Sequence, residues 1–318
     1  MHKDAAPTPD GLTLAAFAVA VTLGAGNFVG VRFSNLELAP FWGAALRFGL
    51  AAAIFVVTAA VRRLTWPRGR DLWLTVIYGA LSFATFYALM YWALVRVSAG
   101  VATVVMAVVP LATVLLAAAQ RLERLNLRTA AGALLACAGI VWMVTGPVDL
   151  VLPVSALVAM LLAAASVAQA VIVGKRISGN HPAVTNAVGM PVGVVLLLAL
   201  SGIAGETWAL PRQPEVIAAV VYLVTLGSGG LFVLVLLVVR RWTASATSYM
   251  FVLFPVVTMV LDAWLTGEPV TAQALTGALV VMAGVWVGAL SPAARRRPVT
   301  PAHRTTAPTI EPERAPAS

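Results

Sequence analysis

Cysteine occurs once in this chain, at Cys137 inside an apolar run, so neither an intramolecular disulfide nor a cysteine-based zinc cluster is available. Histidine is nearly as scarce. His2, His181 and His303 fall outside the apolar runs, which removes a histidine metal site or a Ser/His hydrolase from those runs, even though Gly227-Ser228-Gly229 offers a serine. A phosphate-cradling loop is missing as well: Gly174-Lys175-Arg176 lacks the other elements of a P-loop. No catalytic residue, metal or cofactor is therefore expected, and ATP-driven work within the chain is unsupported.

Charge is sparse too. Only 10% of the 318 residues are charged and 61% are hydrophobic, with a mean hydropathy of +0.94. A soluble globule carries about a quarter charged residues, so the composition implies a polytopic membrane protein partnered by the lipid bilayer. The formal net charge of +9 comes from arginines in short clusters between apolar runs. Such clusters read as topology signals, not as a nucleic-acid footprint.

What is present is a series of apolar runs. A span needs about 20 mostly apolar residues to cross about 30 Å of hydrocarbon, and ten segments qualify: 12–31, 41–61, 72–95, 98–119, 128–145, 153–174, 183–203, 216–238, 243–265 and 271–289. They define an N-tail over 1–11, one five-helix unit over 12–145, a second over 153–290, and a basic, Pro-rich tail over 291–318 that is expected to be disordered. With both termini cytoplasmic, 17 Lys and Arg residues fall inside and three, Arg32, Arg96 and Arg212, fall outside. That bias predicts a multi-pass protein of the cell membrane with an even number of spans.

Residues 96–143 repeat as 241–288 at a constant offset of 145, with 12 identities in 48 positions. The identities include Arg96/Arg241, Pro110/Pro255, Thr113/Thr258, Glu123/Glu268, Gly132-Ala133-Leu134 on Gly277-Ala278-Leu279, and Ala138-Gly139 on Ala283-Gly284. An aligned Arg, Pro and Glu exceed what chance matching of two Ala/Val/Leu-rich segments gives. Because each copy holds an odd number of spans, the second must run the opposite way through the bilayer. Such an inverted repeat provides two similar gates around a central site, the architecture of a carrier of small solutes.

The residues also resemble a known family. Gly24-Ala25-Gly26-Asn27-Phe28-Val29-Gly30, Ala39-Pro40-Phe41 and Ala45-Leu46-Arg47-Phe48 are similar to the start of an EamA domain of the drug/metabolite transporter superfamily. Ser98-Ala99-Gly100, Pro110 and Glu123 in the first half, and Thr243-Ala244-Ser245, Pro255 and Gly267-Glu268-Pro269 in the second, continue the likeness. The resemblance covers about residues 12–290 and implies an all-α fold of ten transmembrane helices, cytoplasmic termini, and a secondary carrier exporting amino acids, metabolites or drugs. Leu122-Glu123 departs from the Gly-Glu pair kept at Gly267-Glu268. A non-transporting scaffold or receptor is the alternative, and a proton or an exchanged solute is the coupling partner to test for.

Within that frame, Arg47 stands out, because an arginine inside a span costs about 2.5–3.5 kcal/mol on insertion scales. Asp262 is the one acidic residue inside a predicted span. At 1.5 Å rise per residue, Arg47 lies roughly 9 Å and Asp262 roughly 4–5 Å from the outer ends of their spans. Three roles are open to Arg47: attracting an anionic substrate group, pairing with Asp262 as an outer gate, or snorkelling to the outer headgroups or capping the following loop while Asp262 sits at the water interface. Asn27 and Gln169 sit at approximately symmetry-related positions, lining a cavity or bonding a neighbouring helix. Tyr87 and Tyr249 are the aromatic candidates for the cavity, whereas Tyr78, Tyr91, Trp92 and Tyr222 read as interfacial belt residues. Pro110 and Pro255 predict matching kinks. Glu123 and Glu268 precede the glycine-faced helices as capping or dipole-compensating residues, and those glycine faces leave a homodimer open.

Overall fold

A computed structural model describes residues 10–121, 127–145, 153–177, 180–231, 234, 238, 244–267 and 270–287; the side chains of 143–145 and 244–252 lie outside that set. Ten helices form among the described residues: α1 Gly11–Ser34, α2 Pro40–Val61, α3 Gly69–Leu94, α4 Ala99–Ala119, α5 Leu127–Thr145, α6 Val154–Gly174, α7 Pro182–Ile203, α8 Pro214–Gly230, α9 Ala244–Thr266 and α10 Ala272–Val285. Strands are absent from the described residues. Lipid offers no partner to an open backbone, so an apolar chain of this composition closes its hydrogen bonds within helices.

Six helices, α1, α2, α3, α4, α6 and α7, are long and apolar enough to cross a membrane, and α5, α8, α9 and α10 contribute shorter apolar stretches. Helix starts follow capping rules. Asp10 accepts from the Thr13 N–H at 2.9 Å, Ser98 from Val101 at 3.4 Å and Thr271 from Ala274 at 3.1 Å. Pro40, Pro182 and Pro214 occupy first turns, where their missing N–H has no helical partner anyway. Large apolar side chains such as Val61, Ile203 and Trp264 point outward, as a lipid-facing surface requires.

Several of the main helix contacts correspond when the two halves are exchanged. Helix α1 lies on α8 and α9, and correspondingly α6 lies on α3 and α4; α2 meets α7, α4 meets α9, and α5 meets α10. The α5–α10 contact is between backbones. A Cβ at Gly139 would sit 2.8 Å from the Val281 nitrogen, and one at Gly284 would sit 2.7 Å from the Gly132 carbonyl oxygen. The helices approach this closely because those positions carry no side chain.

The repeat extends further than residue identity shows. Helix α3 widens into a π-helical segment at Ala80–Thr85, and α8 does so at Thr225–Gly230, the same 145-residue offset. In each, a leucine carbonyl accepts from the amide five residues on: Leu81 from Phe86, and Leu226 from Leu231. Single-turn π segments of this kind cluster at functional sites.

The two prolines sit differently in their backbone ladders. Ahead of Pro110, the α4 ladder breaks at Ala107–Val108, where the Val108 amide turns back to Val105 at 3.2 Å. Helix α9 runs unbroken through Pro255, which forfeits one backbone bond without ending the helix. Glu123, Glu268, residues 1–9 and residues 288–318 lie outside the described residues.

Candidate functional site

Arg47 sits near the middle of α2 and is 1% exposed. Its Nε donates to Ser228 Oγ at 3.3 Å, and its Nη2 to Asn27 Oδ1 at 3.4 Å and to the Gly227 carbonyl at 3.5 Å. Asn27 Nδ2 also donates to the Gly227 carbonyl, at 3.1 Å, and Ser228 Oγ donates to the Leu223 carbonyl at 2.8 Å. Asn27 seats against Gly227 so closely that any Cβ there would overlap its side-chain oxygen. Gly227 and Ser228 belong to the π segment of α8, so this network ties α1 and α2 of the first half to α8 of the second.

Aromatic rings close the other side. The guanidinium carbon lies 5.0 Å from the Phe48 ring centre and 5.2 Å from that of Tyr87, within cation–π range. Phe48 in turn packs edge-on against Phe83 at 5.3 Å and Tyr87 at 4.4 Å. Phe83 lies in the π segment of α3. Both π segments therefore converge on Arg47 and Phe48, one through rings and the other through hydrogen bonds.

Among the described residues no carboxylate pairs with Arg47. Asp262 instead bonds Arg32, Nη1 to Oδ1 at 3.1 Å, and its second oxygen accepts from the Gly100 amide at 3.2 Å. The Arg47–Asp262 pair, one of the alternatives for Arg47, does not form here; the two residues belong to separate networks. Arg32 and Asp262 both lie near the ends of their helices, whereas Arg47 lies deeper. A carboxylate at the first turn of α4 also meets the positive end of that helix.

More contacts gather at the end of the bundle that carries the α1–α2 loop. Glu206 accepts from the Phe41 and Trp42 amides at 3.1 and 2.9 Å and from Ser201 Oγ at 2.7 Å, capping α2 from the far side of the sequence. Trp42 stacks on Trp208 with ring centres 5.4 Å apart. Glu37 accepts from the Arg212 and Gln213 amides at 2.7 and 3.1 Å, and these bonds hold its carboxyl below the usual carboxylate range.

Other predicted residues distribute differently. Gln169 accepts from Gln120 at 2.7 Å, and Gln120 accepts from Arg176 at 3.3 Å, so Gln169 is bonded away from Asn27 near the opposite end of the bundle. Tyr249 is in α9, with its side chain outside the described set. Tyr91 is fully buried, and the Tyr222 hydroxyl donates to the Leu23 carbonyl at 2.7 Å across from Gly26. The belt reading of these two tyrosines is corrected, because the α1–α2 loop and the glycine-rich face of α1 cover them. Trp92 does remain peripheral, under the Arg96 guanidinium at 3.7 Å. It borders an open, mostly apolar groove of about 740 Å³ between α3, α6 and α7 that does not touch Arg47.

The fold defines a duplicated, multi-pass helical membrane protein. The EamA-like transporter family model matches twice, over residues 11–145 and 154–289, and the chain belongs to that family. A protein of Streptantibioticus cattleyicolor named as a probable terminal-alkyne amino-acid exporter is 29% identical over 90% of this chain and 93% of its own. An uncharacterized transporter of Archaeoglobus fulgidus is 24% identical over 85% of this chain and 96% of its own. A solved crystal structure superposes with a TM-score of 0.60 at 19% identity, covering 88% of this chain and 96% of the other, and that likeness shows the fold.

Proposed function

We propose that this protein is a secondary carrier in the cell membrane that exports a small amino-acid-type solute by alternating access. Ten spans form two inverted five-helix halves, and both termini are cytoplasmic, a reading that the 17-to-3 distribution of basic residues supports. The observation that carries the reading is the meeting of the two π segments at Arg47. Carriers with inverted repeats place the solute near the midplane, where interrupted helices of both halves meet. An isolated scaffold has no need of a buried cation there.

On this topology the α1–α2 end faces outward. In this reading the Arg32–Asp262 bridge and the Glu206 and Glu37 contacts are the closure of that side. The amino-acid class rests on the Streptantibioticus relative. A test is counterflow in liposomes with purified full-length protein. Vesicles preloaded with propargylglycine, leucine or phenylalanine should accumulate the labelled external solute transiently and saturably. Passive equilibration with no overshoot for any solute would leave the scaffold reading standing. Repeating the assay across an imposed pH gradient separates proton coupling from exchange.

A further inference from the structure

Among the described residues four buried polar atoms have no hydrogen-bond partner of good geometry: Arg47 Nη1, Tyr91 Oη, Ser34 Oγ and Asn35 Oδ1. Native interiors pair nearly all such groups, so four orphans together call for an explanation. They are neighbours. Gly43 lies one helical turn before Arg47, and a Cβ on it would meet Ser34 Oγ at 3.3 Å and Tyr91 Cε1 at 3.6 Å. Asn35 Nδ2 donates to the Tyr91 backbone carbonyl at 3.0 Å, and the Tyr91 phenol lies within electrostatic reach of Arg47. Ser34 and Tyr91 are fully buried, and Arg47 is 1% exposed.

From these atoms we infer that Arg47, Tyr91, Ser34 and Asn35 form a recognition site for the carboxylate end of the transported solute, just beneath the outer closure. This rests on the carrier reading and adds the chemistry of its site. Arg47 is a cation without a counter-anion among the described residues, and its other nitrogens are already committed to Asn27, Ser228 and Gly227. Nη1, which faces the Tyr91 phenol without a hydrogen bond of good geometry, is the part left for a ligand. A carboxylate offers two oxygens and about four acceptor positions, enough for Nη1, the Tyr91 hydroxyl and the Ser34 hydroxyl together, and it neutralises the guanidinium. Asn35 Oδ1 is an acceptor only, which suits an ammonium next to that carboxylate. The four groups thus supply donors and an acceptor of the kinds a zwitterionic amino acid calls for.

The test is binding to the full-length protein in nanodiscs, with propargylglycine, leucine and phenylalanine each compared with its primary amide. The amide keeps the side chain and the amine but removes the anion. Acids are expected to bind at least about tenfold more tightly than amides, as hydrogen bonds to a charged group demand. Tyr91→Phe and Ser34→Ala should each shrink the acid-to-amide ratio, Tyr91→Phe by about tenfold. A merely structural role would lower both affinities alike and leave the ratio unchanged. Should Tyr91→Phe fail to fold, Ser34→Ala carries the same comparison. Equal binding of acids and amides, binding of no acid, or an unchanged ratio in the folded variants overturns the site. Counterflow of amides in that event would leave the carrier intact, whereas absence of counterflow for every solute sinks the carrier itself.

Discussion

Asp262→Asn removes the charge that two donors share at the outer closure. In the structure Asp262 is 4% exposed, with Arg32 Nη1 at 3.1 Å and the Gly100 amide at 3.2 Å. At an effective dielectric of about 20, unit charges this far apart attract by about 5 kcal/mol before desolvation. The Arg32 side chain is 25% exposed, so water reclaims part of that. Exposed pairs contribute about 0.2–1 kcal/mol, and breaking a buried pair costs about 3–5 kcal/mol; this half-buried bridge falls between, at about 2 kcal/mol. If the bridge exists only in the outward-closed state, its loss shifts the equilibrium about 30-fold toward the outward-open state. Spin labels at Leu36 and Leu265, 63% and 47% exposed and both near that end, report the separation by pulsed dipolar spectroscopy. The exposed Cys137 is replaced by serine in the background. A longer-distance population should appear in Asp262→Asn. A distance distribution identical to that of the unsubstituted protein, in folded Asp262→Asn protein, refutes the latch.

Other consequences are simpler to read. The Glu37 carboxyl is held below the usual range, so its grip on the Arg212 and Gln213 amides is complete above about pH 4.3 and is lost as pH falls through the lower folded value; amide exchange at Gln213, corrected for its intrinsic rate, should accelerate only in that acid window. Glycine substitutions should divide by what faces them. Gly284→Ala drives a Cβ into the α5 backbone and should destabilise by about 1–3 kcal/mol, whereas Gly49→Ala has open space and should stabilise α2 by about 0.5–1 kcal/mol; thermal unfolding midpoints moving in the same direction would contradict the packing described.

The sequence displayed the repeat where packing preserved residue identity, in the stretch holding Pro110/Pro255 and the glycine faces of α5 and α10. It hid the paired π segments. Ala80–Thr85 and Thr225–Gly230 share only Leu81 and Leu226, because what is conserved between them is a backbone hydrogen-bond pattern, not side chains. Arg47 was legible from its insertion cost alone, and Asn27 from its place among small residues. Their shared partners were not, since Gly227 and Ser228 lie about 180 to 200 residues away and offer a carbonyl and a hydroxyl with no charge to attract notice. Tyr91 was misplaced for a related reason. Its position near a helix end fits an aromatic belt, and only the tertiary approach over Gly43 buries it.

The most direct test of Arg47 as the centre where the two halves meet is counterflow by Arg47→Met and Arg47→Lys in liposomes, beside thermal unfolding of the same preparations. Arg47→Met keeps much of the side-chain length without the charge, and Arg47→Lys keeps the charge without the fork that reaches Asn27 and Ser228 together. Both should fold and both should lose most exchange, the Met variant to background. Exchange at the unsubstituted rate in folded Arg47→Met would contradict the role of this residue and move the solute site elsewhere in the bundle.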